Sequence, residues 1–159
     1  MKTISFILVI LFLLSSQFAC TEGSNVRGIA VSQEIIDGAY EVGIDYCDLY
    51  KDALDGDVAS IRKYATIDKF QSGCIYVHGV YLIRLIDRIG DDAFLKAIEG
   101  ISDDEKIWIE SYIQGGMDIY DWYNSGNGAL DYLSEKDYWN KHPELTQIIR
   151  GTDSVLISK

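Results

Sequence analysis

The chain holds a single proline, two histidines and three cysteines in 159 residues, and its 14 basic side chains face 25 acidic ones. Each scarcity excludes something. With one proline, nothing in most of the sequence forbids long helices. With two histidines, His78 and His142, and no HExxH, GxSxG, phosphate-loop or cysteine-protease signature, the common routes to hydrolytic chemistry have no sequence support, and no catalytic or metal-binding residue is assigned. A net charge of −11 repels nucleic acid and denies the protein an electrostatic grip on anionic lipid headgroups. No internal repeat or low-complexity tract is present.

What remains is ordinary globular composition, 48% hydrophobic and 25% charged, in a length that suits one domain. The first nineteen residues stand apart. Lys2 forms a short positive region, Ile4 to Leu14 are apolar except for Ser5, and Ser15-Ser16-Gln17 are polar. An apolar run of about eleven residues is far below the roughly twenty that span a bilayer, so residues 1–19 are expected to be a signal peptide. Removing it leaves 13 basic and 25 acidic side chains, a net charge of −12. The segment Gln17-Phe18-Ala19-Cys20 resembles a bacterial lipobox, with Ala19 and Cys20 matching and Gln17 standing where leucine is usual. The resemblance implies that Cys20 is lipid-modified and becomes the first residue of the mature protein. The expected address is the cell envelope, anchored to a membrane through that lipid, or otherwise secreted.

Parity supports the lipid. Three cysteines in an oxidising compartment leave one over, and acylating Cys20 leaves Cys47 and Cys74 as an even pair. A Cys47–Cys74 disulfide is expected, closing a loop of about 27 residues that would stabilise the fold by roughly 3–4 kcal/mol.

After a short polar tether over residues 20–31, a single helical domain is expected over 32–159. Ile35, Ala39, Val42, Tyr46, Leu49 and Ala53 recur at spacings of three and four, predicting one helix from Ser32 as N-cap to about Leu54. Gly56-Asp57 breaks and recaps the chain for a short helix to about Thr66. The stretch from Asp68 to Ile89 is apolar all round, which marks it as the central helix. Gly90-Asp91 precedes a short helix, and Ser102-Asp103-Asp104-Glu105 makes a capping box for a long one. A C-terminal pair follows, around Leu133–Trp139 and from Pro143 to Arg150. The predicted fold is all-α, a compact bundle of about five to seven helices.

The first of these helices carries the most distinctive pattern. Glu34, Asp37, Glu41, Asp45, Asp48, Asp52 and Asp55 follow at spacings of three and four, and at 100° per residue they fall within a sector of about 80° opposite the apolar face. Like charges so spaced cost a few tenths of a kcal/mol per pair. The stripe is therefore either a solvated face or a docking surface for a basic protein partner.

Other candidates have plainer explanations. His78 sits in the most apolar stretch, where a hydrogen-bonded core histidine is the rule, and His142 precedes Pro143 at a helix start. Asp118, Asp121, Asn124, Asn127 and Asp131 place oxygen ligands around a glycine-rich loop, but Trp122, Tyr123 and Tyr132 interrupt any calcium-loop pattern. Tyr120, Trp122, Tyr123, Tyr132, Tyr138 and Trp139 cluster near that loop and are expected to serve mainly as core. In general character the chain looks like the small helical periplasmic immunity proteins that sequester toxic hydrolases delivered by rival bacteria. That likeness is of size, class and address, and transfers no functional residue. The reading favoured from the acidic stripe is a non-catalytic protein-binding module using that face, without a cofactor. The alternatives are an envelope hydrolase using His78 with Asp87 or Asp118, and a carbohydrate or cation binder built on the 118–131 loop.

Overall fold

A computed structural model describes residues 24–68, 70, 72–124 and 134–151. The chain enters through a two-stranded antiparallel hairpin, β1 (Asn25–Val26) and β2 (Ile29–Ala30). Eight helices follow among the described residues: α1 (Gln33–Glu41), α2 (Tyr46–Leu54), α3 (Val58–Ala65), α4 (Ser72–Ile89), α5 (Asp91–Ala97), α6 (Asp103–Asn124), α7 (Glu135–Lys141) and α8 (Pro143–Arg150). The all-α class expected from periodicity is what the structure has, with more and shorter helices than expected.

The largest departure is the first helix. It is two helices, and the break is encoded locally. Gly43 adopts φ +76°, Gly43 N–H donates to the Tyr40 carbonyl at 3.0 Å, and Ile44 N–H donates to the Ala39 carbonyl at 2.9 Å. This glycine-terminated C-cap ends α1. Asp45 then starts α2 by accepting from Asp48 N–H at 3.1 Å. The same device recurs at the end of α2, where Gly56 (φ +89°) closes the helix and Asp57 caps α3 through Ser60 N–H at 2.8 Å. Apolar spacing hides the first break, because Ala39, Val42 and Tyr46 keep the helical interval across it. Ser32 stands at the N-cap position of α1 without a side-chain capping bond.

Residues 24–31, expected to belong to a polar tether, form a hairpin that sends two side chains into the core. Val26 and Val31 are buried, and Arg27-Gly28 makes the tight left-handed turn between the strands. Arg27 grips Asp55 by donating from Nε and Nη2 to its two carboxylate oxygens. The Tyr81 hydroxyl accepts from Ser32 N–H at 2.8 Å and donates to the Ala30 carbonyl at 3.0 Å, fixing the hairpin to α4.

The two longest helices, α4 and α6, pack more extensively than any other pair. They meet at glycine on both sides: a Cβ on Gly79 would fall within 3 Å of the Tyr112 carbonyl oxygen and the Gly116 backbone, and one on Gly116 would fall within 3 Å of the Gly79 and Val80 backbone. Such an approach of backbones tolerates no side chain. Around this crossing α4 buries Val77, Val80, Tyr81, Leu82, Leu85 and Ile86, while α6 contributes Ile109, Tyr112 and Ile113. At the far end, α8 is tied down by Arg150, which pairs with Glu110 of α6 at 2.7 Å and Glu135 of α7 at 3.1 Å and lies over the Trp139 ring. Ser102 and Glu105 form the expected capping box, with Ser102 N–H donating to the Glu105 carboxylate at 2.7 Å and Glu105 N–H donating to Ser102 Oγ at 3.2 Å.

The expected Cys47–Cys74 disulfide is not formed. The Cys74 thiol is turned toward α1, where it lies over the Glu34 carbonyl at 3.9 Å and so close to Gly38 that a Cβ there would collide with the sulfur. Cys47 belongs to the first turn of α2, on the other side of the Gly43 break.

The glycine crossing makes a direct prediction. Gly79→Ala and Gly116→Ala should each destabilise the protein by about 3 kcal/mol in urea denaturation, despite the better helix propensity of alanine. Gly115→Ala meets only the edge of the exposed Tyr76 ring at 3.2 Å and should change stability by less than about 1 kcal/mol.

Candidate functional site

All seven carboxylates of the acidic stripe reach solvent, but they do not form one wall. Glu34, Asp37 and Glu41 belong to α1; Asp48 and Asp52 belong to α2; Asp45 and Asp55 are the caps at either end of α2. The two caps are already engaged. Asp45 holds the Asp48 amide, and Asp55 is clamped by Arg27, whose hydrogen bonds hold its carboxyl below the usual range. Asp52 lies 3.7 Å from Lys51, and Asp37 accepts from Gln33 at 2.8 Å. Among the described residues, Glu34, Asp37, Glu41 and Asp48 form no ion pair. The uncompensated charge is thus concentrated on α1 and the first turn of α2.

On α1 that charge lies beside an exposed aromatic ring. Tyr40 is 84% exposed, the most open large hydrophobic side chain among the described residues, and it stands one turn after Asp37, at the edge of the acidic sector. Sequence reasoning passed over Tyr40. The signal was present: Ile35 and Ala39 define the buried side of α1, and Tyr40 lies well round the helix from both, at the edge of the acids.

His78 is sealed. It is 0% exposed, and its ring is enclosed by Tyr64 and Tyr112 at 4.6 Å, Phe70 at 5.1 Å and Tyr46 at 5.8 Å. Tyr46 Oη lies 3.0 Å from His78 Nδ1 and 2.5 Å from Tyr64 Oη, a short buried hydrogen-bonded chain linking α2, α3 and α4. Burial pushes the imidazole down to about 3, only partly opposed by the Tyr64 backbone, so it is neutral at ordinary pH. A hydrolytic base must reach its substrate, and this one reaches only aromatic rings. The carboxylates suggested as its partners lie elsewhere: Asp87 pairs with Lys141 at 2.6 Å, and Asp118 is exposed on α6. The open grooves beside α5, lined by Leu95, Lys96, Ile98 and Ile148 on one side and Val58, Arg62 and Lys96 on the other, contain neither histidine nor cysteine.

His142 is buried too, against expectation for a residue at a helix start, and its imidazole bonds to Asp91 at 2.6 Å. Tyr120, Tyr138 and Trp139 are core residues, as the default reading of that aromatic cluster expected. The side chains of Asp121, Trp122, Tyr123, Asn124, Asn127, Asp131 and Tyr132, and hence the proposed loop site, lie outside the described residues, as do the leader and Cys20. Among the described residues no group of three His, Cys, Asp or Glu side chains could hold a metal ion, and no helix is long and apolar enough to cross a membrane. No protein-family model, curated protein or solved structure matches the chain.

The sealed imidazole makes acid the natural denaturant. Its value is about 3 when folded and near 6.5 when unfolded, so the unfolded state binds the extra proton first as pH falls. Stability attributable to His78 is complete above about pH 6.5 and is lost between there and about pH 3, at up to roughly 1.4 kcal/mol per pH unit. Urea denaturation across that window should show the stability of wild type falling relative to His78→Leu. A constant difference would show that the ring is not held neutral.

Proposed function

We propose that this is an exported protein, anchored in the cell envelope by lipid on Cys20, that acts by binding another protein rather than by catalysis, in the manner of an immunity or inhibitor protein. The observation that carries the reading is Tyr40, standing in solvent on α1 at the edge of an acidic face that no cation neutralises. Leaving a tyrosine ring in water forgoes on the order of 1–2 kcal/mol of burial, and leaving its acidic neighbours unpaired adds repulsion within the helix. Both terms reverse when a partner covers the ring and surrounds it with lysine or arginine. Aromatic anchors inside a charged rim are how protein interfaces concentrate their affinity, while the charge accelerates encounter. The enclosure of His78 weakens the main competing reading, a hydrolase, by removing its base from reach.

The partner expected from this chemistry is a basic protein with an aromatic slot framed by cations. Glu34, Asp37, Glu41 and Asp48 supply the field, and Tyr40 supplies the grip.

With wild type as bait, a protein retained from the envelope fraction at low salt should bind Asp37→Lys/Glu41→Lys and Tyr40→Ala at least about tenfold more weakly, and raised salt should slow its association. Equal retention by all three baits would remove the face from consideration, provided circular dichroism shows each folded. The anchor is checked separately by intact mass: the mature chain should begin at a diacylglyceryl-modified Cys20, and Cys20→Ser should abolish the added mass. An unmodified residue 20 in the wild-type protein would refute lipidation.

A further inference from the structure

One of the two grooves beside α5 is walled by four large aliphatic side chains. It encloses about 520 Å³ between Leu95 and Lys96 of α5, Ile98 and Ile101 of the turn that follows, Lys106 of α6 and Ile148 of α8. That volume lies within the range of concavities that take a small ligand or a few side chains. Ile98 and Ile101 are buried, whereas Leu95 is half-buried and Ile148 is 43% exposed. A lone isoleucine in water needs no explanation, but four aliphatic side chains around one concavity mark a surface that something covers.

The chain itself leaves α8 beside this groove. Gly151 follows Ile148 by three residues, and its N–H still donates to the Gln147 carbonyl at 3.1 Å, so it keeps to the helical path on the Ile148 side of α8. Its φ of +78° and ψ of 169°, a combination open to glycine, then take the chain off the helix axis. Thr152-Asp153-Ser154-Val155-Leu156-Ile157-Ser158-Lys159 come next, outside the described residues. In this otherwise polar stretch Val155-Leu156-Ile157 form an apolar triplet, four to six residues beyond Gly151. Extended chain of that length reaches about 13–20 Å, ample for a groove whose wall starts one helical turn from Gly151. Charge agrees with this occupant. Lys106 is paired with Asp103 at 2.7 Å, but Lys96 forms no ion pair among the described residues, and Asp153 precedes the triplet by two residues.

We propose that Val155, Leu156 and Ile157 fill the groove of their own chain, with Asp153 set against Lys96, so that this segment straps α8 to α5 and to the start of α6. A tether this short holds the triplet at an effective concentration on the order of millimolar, which a second copy or a separate protein does not match at ordinary dilution. The strap is independent of the Tyr40 face, since none of its residues belongs to α1 or α2.

The test is the rate at which chymotrypsin cuts the full chain after Leu156, followed by intact mass. Ile148→Asp places a charge in the groove while leaving the buried side of α8, Leu145, Thr146 and Ile149, untouched. It should raise that rate at least about tenfold, with cleavage elsewhere in the chain unchanged. Ile107→Asp, on α6 outside the groove and more exposed at 60%, should leave the rate as in wild type. Equal rates in wild type and Ile148→Asp overturn the proposal, and so does a rise shared by sites throughout the chain. Protection that disappears on dilution of the wild-type protein also overturns it, because the segment then lies in the groove of a second copy. Should Ile148→Asp fail to fold, methyl NMR of wild type against Leu156→Asp reads the same contact. The signals of Leu95, Ile98 and Ile101 should move while that of Ile35 stays, and unmoved groove signals overturn the strap.

Discussion

Everything in this fold is arranged around two backbones in contact. Where α4 crosses α6, Gly79 and Gly116 bring main chain against main chain, and the surrounding residues fill the space this approach creates. The consequence reaches the site residues. Because the crossing fixes α4 against α6, His78, one residue before Gly79, is pressed onto Tyr112 of the facing helix, and Tyr46 and Tyr64 close over it from α2 and α3. A histidine in that position cannot be an accessible base. Its enclosure follows from helix packing and needs no special device.

Much of this was legible in the sequence, and the reasons are local. The Ser102–Glu105 box, Pro143 at the first position of α8 and the all-apolar character of α4 each act within a few residues, so they read directly. What misled was periodicity carried across a break. Ala39, Val42 and Tyr46 keep the helical interval although Gly43 and Asp45 end one helix and start another, and the left-handed glycine was the better witness. The hairpin over residues 25–30 is too short to show a strand period, and the relation of Cys47 to Cys74 depends on how α1, α2 and α4 meet. Burial of His142 is likewise tertiary, since its partners Asp87 and Asp91 lie more than fifty residues earlier.

The split helix changes how the acidic pattern should be understood. Seven carboxylates at helical spacing suggested a continuous electrostatic wall, but two of them terminate helices and one of those is bound to Arg27. Spacing alone cannot distinguish an acid that caps from an acid that faces outward, because Asp is favoured at both places. The charge that remains belongs mostly to α1, and there the structure adds what composition could not show, an aromatic ring left in solvent beside it.

The entry hairpin has a mechanical consequence. Ser24 and Val31 are joined by one backbone hydrogen bond of 2.8 Å, and Tyr81 holds the chain at Ala30 and Ser32 just beyond. A pull on the chain at residue 24 therefore loads the two strands at their open end, where the bonds break in succession instead of sharing the load. Peeling β1 away therefore withdraws Val26 from the core and parts it from α2 before the load reaches Ala30, Ser32 and the hold of Tyr81.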